Sequence, residues 1–382
     1  MTDSTWDSTA AFHELLAGLG QLDRTFLEGP KAVADGASVA EGYQFLATVL
    51  GVALDAFLFA DPTRPVFVDV NTPSRRDRRW GGDNTDAYYA FTPIDPSRTY
   101  RVSGRRGDSA YFSLTVYNEP APGQWSNRIV GIVNDVDLDL DEDGAFSFLM
   151  GPARPAGLDG PFIELSADAA VAFTRDYQFE PVGGQRVVWA IEALDPPGPP
   201  GTTDEATAAA LRTALTWVRT MFDIVPLAVA PRQDETTLGH NVPQRANEFA
   251  QPYQVLDANY GWSARDACYA FASFSLELDE ALVVTHRPPA CRFWNVVVWN
   301  PFMASRDVPD ERTSINNGAA VANADGTVTV VIARRLLDHP NAISTIDHGA
   351  GALAFRWFLA EEVPDRPTVQ VVGAADAPTT AG

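Results

Sequence analysis

The chain repeats itself in register, and that repetition limits the folds open to it more than any other feature. "DAYYAF" at residues 86–91 returns as "DACYAF" at 266–271, a step of 180 that also carries Gly81 to Gly261 and the aromatic Trp80 to Tyr260. After two extra residues the step becomes 182 and holds. It takes Arg105 to Arg287, Val116 to Val298, Asn118 to Asn300, Asn134 to Asn316 and Asp143-Gly144 to Asp325-Gly326. At the far end "AVAF" at 170–173 is laid on "ALAF" at 352–355. A short match arises by chance in a chain of 382 residues, whereas a register sustained this far marks a unit built twice.

Each copy reads as β structure. "RTYRVSG", "AYFSLTVYN" and "GAFSFLM" in the first, and "EALVVTH", "CRFWNVVVWN" and "GTVTVVIA" in the second, are β-branched and aromatic runs set apart by turn residues. The paired Asp-Gly dipeptides are hairpin signals, because glycine tolerates positive φ there. The acidic run "NDVDLDLDEDG" before the first of them alternates charge with Val and Leu, which predicts a solvated strand face rather than a calcium loop. Helices precede both copies. "SVAEGYQFLATVLGVALDAFLF" predicts a helix capped by Ser38 with Glu41 three positions on, and "TDEATAAALRTALTWVRTMF" from Thr203 is its counterpart. The expected layout is a helical region at 1–62, a β unit at 63–193, a Pro/Gly linker at 194–203, a helical segment at 204–230 and a second β unit at 231–382. The fold expected is mainly β (α+β), with two duplicated antiparallel sandwich or barrel-like units, each preceded by helices.

With 50 acidic against 28 basic residues the formal charge is −22, which argues against binding a phosphate backbone. Nucleic acid is therefore not an expected partner. Lys31 is the only lysine, so Schiff-base chemistry has one poorly placed candidate. The N-terminus lacks the basic and apolar regions of a signal peptide, and the apolar stretch from Phe45 to Ala60 is broken by Gly51 and Asp55. A cytoplasmic protein away from membranes, with homo-oligomers open to it, is expected. Cys268 and Cys291 make neither a disulfide framework nor a four-ligand zinc site and are expected to be reduced. No phosphate loop, dinucleotide fingerprint or G-x-S-x-G elbow is present, and the spacing of His339, His348 and an Asp is not diagnostic of a two-histidine, one-carboxylate metal set, so no cofactor and no bound metal is expected.

These segments resemble a bacterial family catalogued as domain of unknown function 1214. "DNTDAYYAFTPIDPSRTYRVSGRRGDSAYFSLTVY" is similar to that family's amino-terminal β segment, and "DEALVVTHRPPACRFWNVVVWN", "TSINN", "ADGTVTVVIA" and "FRW" to its carboxy-terminal signature. Where the family has Asn-Trp-Leu-Asp-Thr-x-Gly-His, this chain runs from Asn341 to His348: Asn341, Thr345 and His348 match, and Ala342, Ser344 and Asp347 replace Trp, Asp and Gly. The resemblance implies a mostly β fold and brings no reaction with it.

A duplication also sorts residues. Polar residues present in both copies (Asp86 and Asp266, Tyr89 and Tyr269, Asn118 and Asn300, Asn134 and Asn316) are expected to serve the shared fold, and unshared ones a ligand. The loop "LDHPNAISTIDHGAG" holds Asp338, His339, Asp347 and His348 where the first copy has no histidine. Imidazole titrates nearest neutrality, so His348 is the expected general acid or base, with Asp347 or Asp338 orienting it and His339 beside it. Arg356 or Asn341 is expected to contact an oxyanion or carbonyl. On the second strand of each copy, Tyr117, Asn295 and Trp299 fall on a face mixing rings with polar groups, while Trp294 shares the opposite, core face. With Asp83 and Asn84, whose second-copy equivalents are Ser263 and Ala264, these residues are candidate walls of a substrate pocket. Two functions fit: a cofactor-independent hydrolase or lyase for a small, mostly apolar molecule, or a non-catalytic small-molecule or glycan binder.

Overall fold

The computed structural model describes residues 6–73, 75–198, 201–227, 245–258, 261–306 and 311–382. The first copy supplies nine strands: β1 (Val68–Asn71), β2 (Ala87–Pro93), β3 (Tyr100–Arg105), β4 (Tyr111–Asn118), β5 (Ile129–Asn134), β6 (Ala145–Gly151), β7 (Phe162–Glu164), β8 (Ala169–Tyr177) and β9 (Val188–Ala193). The second supplies β10 (Tyr253–Gln254), β11 (Ala267–Ser275), β12 (Glu280–His286), β13 (Phe293–Trp299), β14 (Ser314–Asn316), β15 (Val328–Ala333), β16 (Ala342–Ser344), β17 (Ala350–Phe358) and β18 (Thr368–Gly373). In the first copy the sheets run β1-β2-β8-β4-β5 and β7-β6-β3-β9; adding nine to every number reproduces the second copy's sheets. Even the single parallel pair recurs, β6 with β7 and β15 with β16. The duplication is therefore one of topology as well as of residues.

Each copy is a two-sheet sandwich. Val102 on β3, Leu114 and Val116 on β4 and Phe148 on β6 meet in one core; Leu282, Val284, Trp294, Val296 and Val330 meet in the other. Strand alternation sends the remaining residues of β4 and β13 to the far side of each five-stranded sheet, where they are buried as well. There the two sheets face one another: Tyr111 lies 4.6 Å and Tyr177 4.3 Å from the ring of Phe358, centroid to centroid. Tyr111 and Tyr177 join Phe293, Phe358 and the helix residues Phe45 and Trp217 in a single core.

The helices are α1 (Asp7–Leu22), α2 (Arg24–Leu27), α3 (Gly36–Ala53, continued by a π-helical turn at Leu54–Leu58) and α4 (Asp204–Ile224). Thr203 caps α4 by accepting from the Ala206 amide, so the helix starts where its sequence says. The cap of α3 is Asp35, not Ser38: its carboxylate accepts from the Ser38 amide at 2.9 Å. That frees Glu41 to point into the protein. From Gly36 to Leu58 the helix is 23 residues and apolar enough to cross a bilayer by length and composition, but Phe45, Val49, Val52 and Ala53 are packed into the core. Ala11 and Leu15 of α1 pack on Leu211 and Leu215 of α4, so the helices that introduce the two copies share one layer. The acidic run after Asn134 is turn and loop rather than strand, with Val136 57% exposed. His286, the last residue of the "EALVVTH" run, closes β12 and is buried inside the second sandwich. The expected start of the second unit at 231 lies outside the described residues.

Candidate binding site

Between the two five-stranded sheets and the end of α4 lies a cavity of about 500 Å³. Its walls are aromatic. Trp80, Trp125 and Trp262 line it, and Trp217 of α4 closes the cluster behind them; Trp125 stacks on Trp262 with ring centroids 5.1 Å apart, and Trp80 meets Trp217 edge-on at 5.0 Å. Tyr89, Phe173 and Tyr177 come from the first copy, Tyr269, Phe271 and Trp299 from the second. Exposed Gly81, Gln254, Leu256 and Ala258 form the mouth. This size and lining suit a small organic molecule.

The loops before β2 and β11 build the cavity by exchange, each reaching into the other copy. Arg356 on β17 donates from Nη2 to the Gly82 carbonyl at 2.6 Å, and Arg175 on β8 donates from Nη2 to the Trp262 carbonyl at the same distance. Trp299 Nε1 donates to the Asp83 carbonyl at 2.8 Å, and the Tyr117 hydroxyl to the Ser263 carbonyl at 2.5 Å. One residue set, 82 and 83, is therefore gripped as its equivalents, 262 and 263, are gripped. The aspartates of the echoed hexapeptides complete the exchange. Asp86 accepts from Asn295 Nδ2 at 2.7 Å; Asp266 accepts from Asn134 Nδ2 and the Tyr111 hydroxyl, both at 2.7 Å. Such ties satisfy loop backbone and the buried Asp86 carboxylate, which would otherwise be stranded away from water.

Electrostatically the site is one-sided. Arg175 and Arg356 are 2% and 4% exposed, and neither forms an ion pair with a carboxylate among the described residues. The neighbouring Arg79 is paired with buried Asp83. Arg175 rests instead on Thr115 Oγ1 and the Tyr117 hydroxyl, while Arg356 Nη1 has no hydrogen-bond partner. Both guanidinium groups lie over rings, Arg175 4.9 Å from Phe173 and Arg356 5.0 Å from Trp299. Burial pushes the Tyr177 hydroxyl up to about 12 and Tyr89 well above its usual value, so the pair they form at 2.6 Å is neutral at neutral pH. Behind the wall, burial raises Asp86 to about 6 against the opposing pull of Asn295, Asn316 and Ser314.

The family model described as protein of unknown function, DUF1214, matches residues 86–178 and again 277–362. The match recurs once in each copy, so the chain carries the DUF1214 domain twice. The first match runs from Asp86 through β8 and the second from before β12 through β17, so each DUF1214 copy contributes one cavity arginine. The crystal structure of an uncharacterised protein from Burkholderia cenocepacia is similar over 96% of this chain and 98% of its own, with 25% identity and a TM-score of 0.83. The VPA0106 protein from Vibrio parahaemolyticus aligns over 87% of this chain and 98% of its own, with 14% identity and a TM-score of 0.47. Among curated proteins none matches significantly.

Of the residues expected from sequence to form a site, Arg356 and Trp299 line the cavity. Tyr117, Asp83, Asn84 and Asn295 stand behind its wall. Tyr117 braces Arg175; Asp83 accepts from the Ser305 amide at 2.7 Å; Asn84 Oδ1 accepts from Asn295 Nδ2 at 2.7 Å. Trp294 points the other way, into the second sandwich, where its ring meets His286 at 4.6 Å.

The 338–348 loop is a separate place, and none of its residues lines this cavity. His348 Nε2 is 3.0 Å from the Glu41 carboxylate and its Nδ1 2.9 Å from the Thr345 carbonyl. Its carboxylate partner is thus Glu41 on α3, not Asp347 or Asp338. Asn300 and Arg306 hold the same glutamate, so the cluster fastens α3 to the second DUF1214 copy. Asp347 is exposed and paired with Arg334; Asp338 is exposed. His339 Nδ1 accepts from the Asn341 amide. Asn341 is fully buried, its Nδ2 shared between the Val321 and Thr329 carbonyls, and it has no face toward a ligand.

Sequence reasoning missed Arg175, Tyr89, Tyr177 and Tyr269. Tyr89 and Tyr269 are shared by the two copies, and a cavity built from both copies is lined by shared residues as well as by unshared ones such as Tyr177. Arg175 was hidden by register. Matching "AVAF" to "ALAF" sets Thr174 against Arg356, but Tyr89 pairs with Arg175 and Tyr269 with Arg356, so the true step in this strand is 181. The available signal was an arginine two residues before the last ring of each strand, in a stretch otherwise apolar on that face.

Proposed function

We propose that this DUF1214 protein is a small-molecule-binding protein whose site is the aromatic cavity between its two copies. The observation that carries this reading is the lining itself. Among the described residues it contains no histidine, cysteine, lysine, aspartate or glutamate, and burial keeps the Tyr89 and Tyr177 hydroxyls protonated, so it offers contact surface and positive charge rather than a group that exchanges protons near neutrality. The tryptophans are turned inward and enclosed, which favours a small molecule over an extended glycan laid on an open platform. His348, the residue best suited to acid–base work, is engaged by Glu41 and does not line this cavity.

Calorimetric titration of the full chain with naphthalene-2-methanol and with 2-naphthoate tests the reading. Saturable binding of at least one probe is expected. Ile224→Trp, which adds bulk at the end of α4 where it lines the cavity, should weaken that binding roughly tenfold or more. No binding by either probe, or unchanged affinity in Ile224→Trp with the fold intact, would count against the cavity as the site.

A further inference from the structure

Resting on that reading, we infer that the ligand is an organic anion, an aromatic or extended apolar body carrying a carboxylate, whose charge is met by Arg356 and Arg175. The argument is one of missing counter-charge. Moving a guanidinium out of water is costly unless it is paired and hydrogen-bonded, and this chain elsewhere follows that rule: Arg79 is paired with Asp83, and Arg78, its side chain 12% exposed, with Asp55. The chain has 50 carboxylate side chains against 28 cationic ones, so negative charge is not in short supply. Yet the two arginines of the cavity are left, among the described residues, with neutral partners only: carbonyls, a threonine, a tyrosine hydroxyl and ring faces.

The duplication sharpens this. Arg175 and Arg356 occupy equivalent positions, each opposite the tyrosine of its own echoed hexapeptide, and each is anchored by one Nη2 donor to the loop of the other copy. The anchors fix the guanidinium planes without neutralising them. In Arg356 the Nη1 donors remain unused, in a residue that lines the cavity. A carboxylate is the anion whose two oxygens match a guanidinium edge, and the surrounding rings supply the apolar contact for the body that bears it. The acidic surface of the protein, which repels anions at long range, makes the local pair the source of selectivity rather than the net field.

The experiment compares 2-naphthoate with 2-naphthamide, equal in shape and differing in charge, by calorimetry on the full chain and on Arg356→Gln. The carboxylate should bind roughly tenfold to a hundredfold more tightly than the amide in the native chain, and raising salt should leave most of that preference because the pair is buried. Arg356→Gln should lower the preference to about threefold or less while keeping amide binding. Equal affinity for the two probes overturns the anion inference and leaves the cavity reading standing; binding by neither removes the cavity reading itself. A preference that survives in Arg356→Gln also overturns the inference. Should that variant fail to fold, the carboxylate-to-amide ratio in the native chain still decides, since it needs no substitution.

Discussion

Gly261→Ala should destabilise the protein by about 3 kcal/mol or more, whereas Gly81→Ala, at the equivalent place in the first copy, should cost about 1 kcal/mol. Both glycines have positive φ, 74° and 63°, so both substitutions pay the left-handed penalty that a Cβ brings. Their surroundings differ. A Cβ on Gly81 meets nothing within 4 Å, but one on Gly261 would sit 1.9 Å from Trp125 Nε1. Trp125 cannot simply swing aside, because its ring is stacked on Trp262 and wedged against Trp80 and Trp217. The same displacement would open the cavity wall, so Gly261→Ala should also weaken 2-naphthoate binding. Denaturant midpoints for the two variants measure the difference; equal losses would mean that the two loops are equally roomy and that the tryptophan cluster is not closed as described.

The second large effect concerns Asp86 and runs opposite to the usual carboxylate behaviour. Its folded-state value, about 6, lies above the ordinary 3.8. Below 3.8 the carboxyl is protonated whether the chain is folded or not, and its contribution to stability is fully present. Between 3.8 and 6 the folded protein holds a proton that the unfolded chain has released, so stability falls as pH rises and levels off above 6. A gap of roughly two pH units at ~1.4 kcal/mol each amounts to about 3 kcal/mol. Relative to Asp86→Asn, which cannot titrate, the native chain should therefore lose about 3 kcal/mol of stability between pH 3 and pH 7. Urea unfolding of both proteins across that range gives the difference directly. A flat difference, or one that grows in favour of the native chain, would show that Asn295, Asn316 and Ser314 hold the carboxylate ionised better than burial opposes it.

Much of the fold was legible in the chain. Period-two alternation along β4 and β13, Asp-Gly turns whose glycines have φ of 75° and 81°, and the Thr203 cap are all local signals, written within a few residues of where they act. Ser38 and Glu41 make a plausible capping box in the sequence, while Asp35 three residues earlier makes the actual cap, its carboxylate accepting from both the Ser38 amide and the Ser38 hydroxyl. Only the packed structure shows that Glu41 is engaged by His348, Asn300 and Arg306. The histidine loop attracted attention by composition, since one copy had imidazoles and the other none. Composition says nothing about which surface meets which, and the loop turned out to fasten a helix.

From the sequence alone follow the duplication, the β character of each copy and the likeness to the DUF1214 family, because repeated residues and a two-residue pleat are properties of the chain itself. The tertiary structure alone decided that the two five-stranded sheets face each other, that Asp86 and Asp266 are exchanged between copies, and that Arg175 and Arg356 share one cavity. The physical reason is register. A slip of one residue sends every side chain of a strand to the opposite face, and the pleat's phase is set by the neighbouring strand's hydrogen bonds, not by the identity of residues such as "AVAF" and "ALAF".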